Sequence, residues 1–220
     1  MTPLALADPE RRLALAYAPA PARPALETLW LIDERMGAIV AAAREPAIGA
    51  MRLVWWRDAL AALDMREAPA EPLLARVAAT LLTTGVSGAA LSALEEGWSA
   101  LLDSEMPDEE MMRLHASRGA VLFTLAARAL GADAEDIAAA GEGWALADLG
   151  HRISDHDAGP QARRMAAERL ATVNPHRWPR ALRALGLLTL LATRDAGAIE
   201  RHQGSPARVL RGAFYGLTGL

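Results

Sequence analysis

Leu29 to Leu60 reads LWLIDERMGAIVAAAREPAIGAMRLVWWRDAL. Apolar residues recur in it at helical spacing, and no alternating β-branched run interrupts them. Arg44-Glu45-Pro46 divides the stretch into two helices. Proline lacks an N–H, fits a first helical turn and drives the residue before it towards extended backbone. The spacing predicts one helix from about Ala25 to Ala43 and a second from Pro46 to about Leu63. On the second, Met51, Val54, Trp55 and Leu60 fall at core spacing, whereas Arg52, Arg57 and Asp58 lie largely off that stripe.

The same grammar extends in both directions. Asp8-Pro9 opens a short helix to about Tyr17, and Pro19, Pro21 and Pro24 make Ala18 to Pro24 an extended connector. Glu71-Pro72 begins a helix to about Leu82, and Ser87 is a candidate N-cap for one reaching Leu102. Met106 to Glu110 forms an acidic first turn suited to a helix dipole, and that helix runs to Leu130 and stops at Gly131. Asp133 and Asp136 resemble a capping box for a helix to about Ile153. Ala158-Gly159-Pro160 reads as a break, followed by helices over Gln161 to Ala171, Pro179 to Thr193 and Pro206 to Leu217. No segment has the period of a strand. The expectation is an all-α fold in one domain covering residues 1–220.

Composition narrows the chemistry. With 220 residues, 52% of them apolar, the chain can bury one large core. Its longest apolar runs, such as Ala184 to Ala192, are too short to span a bilayer. The start, MTPLALADPERR, has no basic segment ahead of an apolar one, so a cytoplasmic location, peripheral to the inner membrane if attached at all, is expected. The absence of cysteine excludes thiolate catalysis and Cys-based zinc sites, and the absence of lysine excludes Schiff-base chemistry. A net charge of −4 without a basic cluster argues against nucleic acid. The six tryptophans, Trp30, Trp55, Trp56, Trp98, Trp144 and Trp178, read first as core packing.

Three stretches carry a resemblance. Glu45-Pro46-Ala47-Ile48-Gly49 followed by Met51 to Leu60 (MRLVWWRDAL), then His115 to Gly131 (HASRGAVLFTLAARALG), then Gly143 to Asp155 (GWALADLGHRISD) resemble the squalene/phytoene synthase family, in that order. The resemblance implies an isoprenoid-synthase-like helical bundle around a central cavity, here C-terminally shortened. In that family, enzymes join two prenyl diphosphates with Mg²⁺ held by two aspartate-rich motifs, because hard cations must neutralise the leaving diphosphate. By the same resemblance, Arg35, Arg52, Trp55, Trp56, Arg57, Asp148, Arg152 and Asp155 are the candidate substrate-binding residues.

The aspartates depart from the pattern. Arg35 matches the arginine before the first motif, but the motif's aspartate positions fall on Gly37, Ala38 and Ala41, none of which can hold a metal. Asp33 and Glu34 lie about a turn away and are expected on a different face. In the second motif, Asp148, Arg152 and Asp155 remain. Such losses resemble a divergent branch of the superfamily that includes a mitochondrial assembly factor for respiratory complex I; His156 follows that branch. The resemblance then implies a terpenoid-type pseudoenzyme without a cofactor. Its partner would be an isoprenoid-like lipid, a prenyl diphosphate or a protein, with peripheral membrane contact through an apolar outer face. The alternative is a Mg²⁺-dependent prenyltransferase with relocated ligands at Asp33, Glu34, Asp148 and Asp155. A third reading is a helical scaffold with a filled core.

Two further groups are ambiguous. His151 and Asp155 are four apart, a spacing that suits either a metal or a solvated helix end. Trp55-Trp56-Arg57 suits either a diphosphate clamp or a surface arginine paired with Asp58. Gly141, Gly143 and Gly150 sit in a predicted helix, where close helix approach or cavity room would justify them.

Overall fold

Proline and acidic or hydroxyl caps set most helix starts in the computed structural model, which describes residues 4–103 and 107–220. Asp8 accepts from the amides of Glu10 and Arg11 and opens α1 (Pro9–Leu15). A 3₁₀ turn over Ala20–Ala22 leads directly into α2 (Arg23–Ala42), so the proline-rich connector is shorter than its composition suggests. Then follow α3 (Pro46–Ala62), α4 (Pro72–Thr80), α5 (Gly88–Ser92) and α6 (Leu94–Asp103). Ser87 caps α5 as expected, accepting from Ala90 N at 3.1 Å, but the helix is interrupted at Ala93. Next come α7 (Glu109–Ala129), α8 (Ile137–Gly150), α9 (Ala158–Leu170), α10 (Arg183–Ala196) and α11 (Pro206–Thr218). Among the described residues there is no strand, so the fold is all-α.

Two local readings differ. Asp133 and Asp136 form no capping box: the Asp136 carboxylate instead accepts from Asn174 N (2.8 Å) and Trp178 Nε1 (2.6 Å), tying the loop after α9 back to the start of α8. Ala158-Gly159-Pro160 is the first turn of α9 rather than a break, since proline is tolerated where amides have no helical partner. Met106, in the predicted acidic turn, lies outside the described residues. Asp108 caps α7 from its side chain to Met111 N at 2.8 Å.

The centre of the molecule is α7 against α8, with α6 and α2 packed on one side and α9 and α10 on the other. Gly119 and Gly141 face each other across the α7–α8 contact: a Cβ on either would fall on the other's carbonyl oxygen. Gly143 and Gly150 likewise abut Leu170 and α9, so close approach accounts for the glycines of α8. The buried side chains form one continuous core.

On α3 the inward face is Gly49, Leu53, Trp56 and Leu60. Met51 and Trp55 are 69% and 49% exposed, so they are not core residues. Adjacent tryptophans stand about 100° apart on a helix and cannot share one face. Trp56 is the ring that packs inward, with Gly49 admitting Leu102 of α6 beside it.

The two chain ends meet through ion pairs. Arg208 of α11 is bidentate to Glu10 of α1 (2.5 and 2.9 Å) and also bonds Asp195 of α10 (2.9 Å). Arg201 reaches Asp148 of α8 at 2.8 Å.

Candidate functional site: a cavity built on a buried arginine–aspartate cluster

A cavity of about 630 Å³ opens between the start of α1, the second half of α2, α6, the first half of α7 and the end of α8. Its volume falls within the range of small-molecule sites. The apolar wall includes Gly37, Ala38, Val40, Ala41, Leu101, Met111, Leu149 and Ile153, with the rings of Trp98 and Trp144.

Asp33 is the hub of the polar wall. It is fully buried and accepts from Arg118 Nη1, from Arg11 Nη2 and, at 3.0 Å, from Trp98 Nε1. Burial alone would push this carboxyl up, but the Arg118 and Arg11 guanidiniums more than offset that and hold it well below the usual carboxylate range. The arginines are in turn sheathed by aromatic rings. Arg118 lies 4.2 Å from the Trp98 centroid and 5.4 Å from that of Trp144, and Arg11 lies 5.0 Å from Trp144.

His115 stands behind Arg118. Its Nδ1–H donates to Gly97 O (3.0 Å), which leaves Nε2 to accept from Arg118 Nη2 (3.2 Å). Burial, and then the Arg118 charge, push the imidazole down to about 3, so it is neutral at physiological pH. Asp148 is similarly spoken for: burial raises it, but Arg152 (2.7 Å) and Arg201 (2.8 Å) bring it down to about 2. Glu34 accepts from the amides of Ala7 (2.7 Å) and Asp8 (3.2 Å), and Asp8 caps α1.

These shifts fix a pH dependence. Between about 3 and its ordinary 6.5, His115 is protonated in the unfolded chain and not in the folded one. The unfolded state therefore binds the extra proton, and acidification through that window favours unfolding. Stability is full above about pH 6.5 and declines towards pH 3; below 3.8, where Asp33 and Asp148 take up protons in the unfolded chain while staying ionised in the folded one, the decline steepens. Urea unfolding at a series of pH values is expected to show this slope between pH 6.5 and 4, and His115→Gln to flatten it. An unchanged slope in that variant would assign the effect elsewhere.

Of the sequence-derived candidates, Asp33, Glu34, Asp148 and Arg152 line this cavity. That corrects the facing of Asp33 and Glu34: with Gly37, Ala38 and Ala41 they border one space, because the wall spans more than two turns of α2. Arg35, Arg52, Trp55, Trp56, Arg57 and Asp155 lie outside it. Arg35 stacks on the Trp56 ring at 5.6 Å on the far side of α2. Trp56 is core, Trp55 stands edge-on to it at 5.3 Å, and Arg52 is exposed. Arg57 pairs with its neighbour Asp58 at 2.9 Å, the bland alternative for the Trp-Trp-Arg group. Asp155 accepts from the amides of Asp157 (3.0 Å) and Ala158 (2.9 Å) at the start of α9. His151 Nε2 is 3.0 Å from Asp195 O, so the His151–Asp155 spacing serves two separate structural bonds.

The sequence reading missed Arg11, Trp98, His115, Arg118 and Trp144 as a unit. One signal was legible: Arg118 lies one turn after His115, inside the apolar stripe of α7 (Met111, Met112, His115, Gly119, Leu122), where an arginine needs a buried partner.

No family model, curated protein or solved structure matches the chain.

Proposed function

We propose that this protein is a non-catalytic relative of the squalene/phytoene synthases that holds an uncharged isoprenoid-like lipid in the cavity. The observation that carries the reading is the state of the positions where metal ligands would be needed. At Gly37 the Trp98 ring fills the room: a Cβ there would come within 2.8 Å of its Cη2. Asp33 and Asp148 are bound by two guanidiniums each, and Glu34 by backbone amides. Carboxylates so engaged do not fit a Mg²⁺ cluster, and among the described residues no three His, Asp or Glu side chains come together as a metal-ligating group.

Charge points the same way. Four carboxylates (Asp8, Asp33, Glu34, Asp148) and three guanidiniums (Arg11, Arg118, Arg152) line the space, with His115 neutral. That balance gives a diphosphate no net attraction, whereas the apolar wall suits a hydrocarbon chain. A cavity of this size also speaks against the filled scaffold.

A second reading, the Mg²⁺-dependent prenyltransferase, draws support from the sharing of one cavity by Asp33, Glu34 and Asp148. One experiment separates the two. Farnesol is expected to quench the tryptophan fluorescence of Trp98 and Trp144 saturably, and Ala38→Trp, on the wall, to weaken that binding about tenfold, or roughly 1.4 kcal/mol. Farnesyl diphosphate with Mg²⁺ is expected to release no diphosphate. Release that Asp148→Ala abolishes would replace the first reading with the second.

A further inference from the structure

The outer face of α11 runs against the usual polarity of a surface helix. Leu210, Phe214 and Leu217, spaced i, i+4 and i+7 on one side, are 71%, 58% and 71% exposed. The opposite side, Gly212, Tyr215 and Gly216, is buried. The helix is held firmly by that inner side. Arg208 is clamped by Glu10 and Asp195, Gly216 rests on the Tyr17 ring, and the Tyr215 hydroxyl donates to Pro175 O at 2.8 Å. The apolar ridge is therefore a fixed feature of a packed helix.

The charges within the segments beside the ridge have one sign, and the Glu10 and Asp195 carboxylates that approach α11 are taken up by Arg208. From Arg201 to Leu220 there are three arginines, one histidine and no Asp or Glu, in a chain whose net charge is −4. The segment packed against the end of α11 continues the pattern. His176 Nδ1 donates to Gly219 O (3.1 Å), and Arg183 donates to the carbonyls of Gly216 (3.2 Å) and Leu217 (2.9 Å). Between Pro175 and Arg183 stand Arg177, Arg180 and Arg183, again without an acid. Arg177, Arg180 and Arg211 are exposed.

We propose that α11 is a membrane-surface helix, with Leu210, Phe214 and Leu217 entering the acyl boundary of an anionic bilayer while Arg177, Arg180 and Arg211 engage lipid phosphates. A fixed apolar ridge rimmed by guanidiniums is the arrangement by which an interfacial helix reads both the hydrocarbon and the charge of such a surface. A second copy of the chain suits the face less well. A two-fold contact would bring the same arginines together with no carboxylate on the ridge to meet them. This surface is separate from the cavity and does not depend on what the cavity holds.

The test is cosedimentation with vesicles of phosphatidylcholine alone and of phosphatidylcholine mixed with phosphatidylglycerol. The protein is expected to bind the mixed vesicles, less so at high salt, and poorly to phosphatidylcholine alone. Phe214→Ser with Leu217→Gln, and separately Arg177→Gln with Arg180→Gln, are each expected to weaken binding about tenfold or more. All these side chains are exposed, and circular dichroism checks that the variants are folded. Failure of the folded wild type to bind the mixed vesicles would overturn the proposal. So would variants that bind as well as wild type, or a solution dimer that the Phe214 and Leu217 substitutions dissolve.

Discussion

Asp33→Ala is expected to destabilise the protein by about 3–5 kcal/mol, which is a large part of the stability of a domain this size. The carboxylate neutralises two buried guanidiniums and accepts the Trp98 indole N–H. Its removal leaves Arg11 and Arg118, 6% and 1% exposed, beside each other among tryptophan rings, with Glu34, 3.9 Å from Arg11, as the nearest remaining counter-charge and none bonded to Arg118. Arg11 Nε and Arg118 Nε already lack hydrogen-bond partners among the described residues, and what remains to the two guanidiniums is one neutral bond each, Arg11 to Trp30 O (3.0 Å) and Arg118 to His115 Nε2 (3.2 Å). Asp33→Asn keeps the shape and loses the charge, and is expected to cost nearly as much. Glu34→Ala, by contrast, removes a partly exposed carboxylate from two amides at the rim of the cluster and is expected to cost about 1 kcal/mol. Urea unfolding midpoints at constant m-value give the comparison. Equal losses for Asp33→Ala and Glu34→Ala would mean that the buried cluster is not what organises this end of the bundle.

Gly141→Ala is expected to cost about 3 kcal/mol, although alanine is the better helix former by up to ~1 kcal/mol. The reason is backbone against backbone. A methyl on Gly141 meets the Gly119 carbonyl, and one on Gly119 meets the Gly141 carbonyl, so neither clash can be relieved by turning a side chain. The helices must separate, and α7–α8 is the contact around which the other helices are arranged. Gly197→Ala is the control, because its Cβ would find nothing nearer than 3.8 Å, and it is expected to be neutral within about 0.5 kcal/mol. A Gly141→Ala protein as stable as wild type would show that the two helices can shift apart freely.

Much of the fold was legible because it depends on local chemistry. Proline at Pro9, Pro46, Pro72 and Pro206 opens a helix in each case, and Gly131 ends one with a left-handed φ of 67°. Those signals act within a few residues of themselves. The inward face of α3 was not legible. Of the predicted stripe Met51, Val54, Trp55 and Leu60, only Leu60 is buried; Leu53 and Trp56 make as good an apolar stripe with it, and only the neighbouring helices choose between them. The capping role of Asp136 failed for the same reason, since Trp178 and Asn174 compete for its carboxylate from 42 and 38 residues away.

The cavity divides along the same line. That Gly37, Ala38 and Ala41 cannot hold a metal follows from their side chains, and so does the absence of thiolate or lysine chemistry. That Asp33 is an ion-pair hub follows from Arg11 and Arg118, 22 and 85 residues away in the chain. The sequence by itself determined the helical periods, their caps and the functional groups present. The tertiary structure alone decided which of those groups face one another, because the charge state and availability of a buried side chain are set by neighbours that only folding assembles.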